Sequence, residues 1–210
     1  MEDLKKNQKK ENLGLKKELA DKLMKLKGEA RGMTIKIDME SITREKGKEG
    51  LKKLEQELEN LGYPIKYKEI NVGAFYPIGL DVINMLAIKK IFNFDEKKLK
   101  EIGSSSSKFS LFVRLFMRYS FSLKKVGEQA QTLWRRHYTI GNLKMIELNE
   151  EKKYLVLRLE NFNLHPIYCP LLEGYFSQVC RLVIGKEVYS EETKCFFRGD
   201  QYHQYLIKWN

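Results

Sequence analysis

The chain is poor in cysteine, histidine and proline, with three, three and four among 210 residues. An odd, small cysteine count excludes a disulfide framework and fits a reducing compartment, so a cytoplasmic protein is expected. No stretch approaches the roughly 18 apolar residues of a membrane span. The opening MEDLKKNQKKENLG holds no apolar run of the kind a secretory leader uses. There is no Gly-rich phosphate loop, no nucleophile elbow and no HExxH, so catalysis is not expected. What is present is a globular composition, 42% hydrophobic and 11% aromatic, with a net charge of +11. That charge permits contact with nucleic acid or anionic membranes. Lysine is interspersed with acids along most of the chain, however, which reads as a solvated surface. Nucleic acid is therefore not the favoured partner.

The order of patterns predicts an α+β fold: N-terminal helices, then a ββαββ unit with a mainly antiparallel sheet. Residues 1–32 read as a charged helical extension with a narrow stripe of Leu13, Leu15, Leu19, Leu23 and Leu26. Residues 33–210 read as the domain proper. Its first helix comes in two pieces with a joint near Gly47 and Gly50, and stops at Gly62 and Pro64. A strongly apolar helix is predicted over 77–92 and a short amphipathic one over 94–103, closing on Gly103. A third follows over 104–120, capped by the run SSSS, and a fourth over 122–138. From Thr139 the hydrophobic period turns to two, giving strands at 143–148 and 152–162. A helix over 170–184 ending on Gly185 and a second hairpin complete the chain.

The second hairpin contains EETKCFFRGDQYH. Pairing symmetric about Gly199 sets Cys195 opposite His203, with Cβ atoms about 4.5–5.5 Å apart. A thiolate and an imidazole at that spacing can share a zinc ion. Glu192 is an odd number of positions from Cys195, so a straight strand would turn it to the other face. It can join only if the strand bulges at Thr193-Lys194. Cys169, before Pro170, reads as the N-cap of the 170–184 helix, where the helix dipole favours a thiolate. The ordinary alternative is that the two cysteines are small buried residues.

These residues carry a resemblance. Cys169-x4-Gly174-Tyr175, followed by Glu192-x2-Cys195-x3-Gly199-x3-His203, resembles the 4-vinyl-reductase-type (4VR) domain. Its superfamily is related to haem-NO-binding domains and to TRAPP trafficking subunits. The resemblance implies a structural zinc held by Cys169, Glu192, Cys195 and His203, the histidine standing where the sensor domains of aromatic-responsive activators have cysteine. It also implies a hydrophobic ligand pocket between helices and sheet, for which Phe112, Phe116, Trp134, His137 and Tyr138 are the candidates.

The function expected is a regulatory or sensor-type domain that binds a small hydrophobic molecule or a protein partner, with output through that partner or a homodimer. An alternative is a scaffold or nucleic-acid-associated protein working through its basic N-terminal helix. A haem-binding sensor and an enzyme of tetrapyrrole metabolism are further options at the level of the superfamily. The haem branch uses an axial histidine on a helix and a Tyr-x-Ser-x-Arg motif, and neither stands as such here.

Overall fold

The computed structural model describes residues 15–109 and 122–210. Two of the pocket candidates, Phe112 and Phe116, lie outside the described residues, as does most of the helix expected over 104–120. The helical half holds α1 (Lys17–Leu23), α2 (Gly32–Asn60), α3 (Ile78–Phe92), α4 (Glu96–Phe109), α5 (Leu123–Glu128) and α6 (Ala130–Arg135). A two-stranded ribbon, β1 (Glu29–Arg31) with β2 (Phe75–Pro77), sits among these helices. The second half holds β3 (Asn142–Asn149), β4 (Tyr154–Glu160), α7 (Tyr168–Ile184), β5 (Val188–Lys194) and β6 (His203–Trp209). The fold is α+β, and its four-stranded sheet has the order β3-β4-β6-β5 with every pair antiparallel. Pairing of β4 with β6 joins the two predicted hairpins into one sheet.

The joint expected in the first long helix is present. Gly47 has φ 67° and ψ −169°, a backbone conformation outside the helical region, and α2 bends there. The helix expected over 122–138 divides into α5 and α6 at Gln129. Residues expected to form an appended helix pack into the core: Leu15, Ala20, Leu23 and Ala30 are all buried. Of the described stripe, Leu15 and Leu23 are buried, and Leu19 and Leu26 are partly buried against the core.

The serine run behaves differently from expectation. Gly103 and the serines after it do not end one helix and cap another; α4 runs through them. Gly103 is there because a Cβ would overlap the carbonyl oxygen of Leu171 on α7. Gly174 answers it, since a Cβ there would overlap the carbonyl oxygen of Lys100 on α4. Ser104 Oγ then donates to the Gly174 carbonyl at 3.1 Å. Small residues on both helices let α4 and α7 approach backbone to backbone. The core they bound includes fully buried Leu54, Leu58, Ile83, Ile88, Leu99 and Leu159. Each such side chain contributes about 1.5–3 kcal/mol of burial.

Candidate metal centre and internal cavity

Helix α7 begins two residues earlier than the sequence suggests. The turn His165–Tyr168 starts it: Ile167 N–H donates to His165 Nδ1 at 3.1 Å, and Tyr168 N–H to the His165 carbonyl at 3.1 Å. The N-cap is Ile167, so Cys169 lies inside the first turn and is not the cap. Pro170 fits there because first-turn N–H groups have no intrahelical acceptor. The thiol still stands at the N-terminal end of α7, beside the second hairpin.

In that hairpin, β5 shifts register between Glu192, paired with Tyr205, and Lys194, paired with Gln204. Thr193 is the extra residue. This is the irregularity that Glu192 requires to share a face with Cys195. After Cys195 the chain makes a 3-10 turn, Phe196–Arg198, and reverses at Gly199 with φ 102°. Cys195 N–H is held by Asp200 Oδ2 at 2.8 Å. His203 then opens β6.

Cys169, Glu192, Cys195 and His203 converge. One donor atom from each lies within 4.8 Å of every other. Cys169 Sγ and Cys195 Sγ are 3.6 Å apart. That is far beyond a disulfide bond of about 2.05 Å. It is close to the edge of about 3.8 Å spanned by two thiolates at about 2.3 Å from one zinc. His203 Nδ1 meets Glu192 Oε1 at 2.8 Å, while its buried Nε2 has no hydrogen-bond partner among the described residues. Burial pushes both thiols up, and the Glu192 carboxylate beside them adds to the effect. Burial also pushes Glu192 up, but hydrogen bonds from His203 and Cys195 and the Arg198 charge pull it below the usual carboxylate range.

A further set of residues holds this cluster. Arg198 Nη1 is 3.2 Å from Glu192 Oε2, and Arg198 Nη2 donates to the Glu192 carbonyl at 3.0 Å. Glu173 Oε1 accepts from the Glu192 N–H at 2.8 Å, and Glu173 Oε2 pairs with Lys100. Sequence reasoning named neither Arg198 nor Glu173. The signal for Arg198 is its place in the Cys195–Gly199 turn, where the side chain folds back over the bulge.

A cavity of about 130 Å³ lies between the helices and the sheet. Trp134, His137 and Tyr138, three of the five pocket candidates, line it. Trp134 stacks on Tyr138 with ring centroids 4.8 Å apart and meets Phe162 edge-on. The His137 imidazole is lowered to about 4, first by burial and then by Arg31 and Arg136. Two acids also line the cavity, Asp38 on α2 and Asp81 on α3, and both are buried. Sequence reasoning missed them as site residues. Each interrupts an apolar run, TIKIDMESI and PIGLDVINML, and that is the signal that could have found them.

This topology decides a comparison. The fold is that of the H-NOX domains. An H-NOX protein from S. oneidensis, solved in its Fe(II)NO ligation state, superposes with a TM-score of 0.65 at 12% identity, over 86% of this chain and 99% of that one. An oxygen-binding H-NOX domain related to soluble guanylate cyclases gives 0.62 at 10% identity, over 86% and 95%. A structure from work on haem distortion in the H-NOX family gives 0.64 at 10%, again over 86% and 95%. No protein-family model and no curated protein matches the chain. The H-NOX likeness covers most of both chains. Among the described residues no helix is long and apolar enough to cross a membrane.

Proposed function

We propose that the chain is a 4VR-like, regulatory ligand-binding domain on the H-NOX fold, with a cavity for a small apolar molecule and one structural zinc. The cavity carries the first half of this reading. It is apolar and aromatic over most of its wall, and its volume of about 130 Å³ is near that of a cavity of about 150 Å³, which takes up benzene when lined by apolar side chains.

The metal half rests on the four donors. Two thiolates, an imidazole and a carboxylate complete a tetrahedron around zinc. Such a set leaves no open position for an activated water, so the site acts as a clamp between α7 and the second hairpin and not as a catalyst. Two thiolates and one carboxylate around a divalent ion leave one net negative charge, and Arg198 stands against Glu192 to balance it. Any output then passes to a protein partner or to a second copy of the chain.

Haem is the second reading, favoured by the iron-ligated neighbours and by the His137 imidazole on the cavity wall. The described residues do not fit it. Among them no arginine or lysine lines the cavity to pair with propionates. The volume also falls below the roughly 300–1,000 Å³ of pockets for larger ligands. Metal analysis and native mass spectrometry of protein purified without chelator test all three points. One zinc per chain and a retained small molecule are expected. A chain free of zinc ends the metal reading, and a haem absorbance band ends the argument against haem.

A further inference from the structure

Asp38 and Asp81 both line the cavity, 7% and 2% exposed. Among the described residues Asp81 is served by neutral donors: Thr34 Oγ1 donates to Oδ1 at 2.9 Å, and the Tyr168 hydroxyl donates to Oδ2. Asp38 Oδ2 accepts from Asn84 Nδ2 at 3.0 Å, and Asn84 is fixed in turn by the Tyr67 hydroxyl. Asp38 Oδ1 has no donor among the described residues. No lysine, arginine or histidine among them forms an ion pair with either acid. Two buried carboxyls without a cation are costly, because a buried charge needs a partner of opposite sign. Hydroxyl and amide groups orient both acids, yet no lysine or arginine among the described residues lines the cavity beside them.

The rest of the wall favours the same missing group. Trp134, Tyr138 and Tyr168 line the cavity together. Aromatic faces attract cations as carboxylates do. We propose that the cavity binds a small single-ring amine, its protonated nitrogen seated on Asp38 and Asp81 and its ring among the apolar and aromatic walls. The inference rests on the ligand-binding reading above and adds the chemical class of the occupant. The volume of about 130 Å³ restricts the class to one ring with a short arm.

The test uses the full chain with its metal at neutral pH and three probes of nearly equal shape: benzylamine, benzyl alcohol and toluene. Calorimetry should show benzylamine binding at least about tenfold more tightly than either neutral probe. Asp38→Asn, which keeps shape but cannot supply a carboxylate to an ammonium group, should cancel that preference and leave toluene binding in place. Asp81→Asn provides the second variant, with circular dichroism and zinc content checking that each is folded. If all three probes bind the parent chain equally, the amine inference is overturned and the apolar cavity stands. If none binds, the ligand-binding reading falls with it.

Discussion

His203 has one ring nitrogen on Glu192 and the other buried without a partner. A buried imidazole in that state is destabilising unless something accepts the free position. Replacement by another zinc ligand should therefore be tolerated: His203→Cys is expected to keep one zinc per chain, and His203→Ala to lose it, by metal analysis. Cys195→Ser removes a thiolate from the cluster. It should lower the Tm by about 4–8 °C, because about 2 kcal/mol moves a chain of this size by that much. An unchanged Tm would count against a structural ion. Arg198→Ala leaves all four donors but removes the balancing charge from Glu192. The expected result is zinc affinity weaker by about 10–100-fold in a chelator competition, the usual effect of a group that supports metal ligands. Cys169, Glu192, Cys195 and His203 could all be named from the sequence, since spacing, strand parity and turn symmetry are one-dimensional properties. Arg198 could not, because its role depends on a long side chain folding back across a bulge.

At the scale of elements, the α4–α7 contact depends on two glycines that face backbone carbonyls. Gly174→Ala should destabilise by about 1–3 kcal/mol through overpacking, read by denaturant or thermal unfolding. Gly185→Ala is the control: nothing crowds that position, and only its φ of 70° resists a side chain. The sequence shows a glycine before four serines and suggests a helix end, because breakers and caps are local signals. Close approach of two helices is a tertiary signal, and it uses the same residues. The β1–β2 ribbon was hidden for another reason. Three-residue strands are too short to show a period of two. The longer strands β4 and β6, with alternating burial, were legible.

For the whole molecule, buried titratable groups pull stability in opposite directions with pH. His137 and His165 are held near 4 by burial, below the ordinary 6.5. They stay neutral in the folded chain and take up protons when it unfolds, so their contribution is complete above pH 6.5 and is lost as pH falls toward 4. Asp38 and Asp81 are raised, by burial first and for Asp38 by Asp81 as well. They remain protonated when the unfolded chain would ionise, so their contribution is present below about pH 3.8 and is lost as pH rises. One group contributes a slope of at most about 1.4 kcal/mol per pH unit. Asp38→Asn removes an opposing contribution. Its Tm relative to the parent should therefore climb as pH rises from 4 to 7, and a constant difference would mean that Asp38 ionises normally. Charge inside the core is what a linear reading handles worst, because the sequence does not say which acids of a lysine-rich chain face inward.

Tyr168 and Cys169 are consecutive. The first donates to Asp81 on the cavity wall, and the second supplies a thiol to the cluster of four candidate ligands. One peptide unit therefore joins the two, at the start of a single helix. If both proposed sites are filled, any coupling that this shared segment carries between them is reciprocal. Whatever factor the ion lends to the affinity of an occupant, the occupant must return to the affinity of the ion. Removing the metal would then register in the cavity as a change in ligand affinity, without any ligand touching the ion.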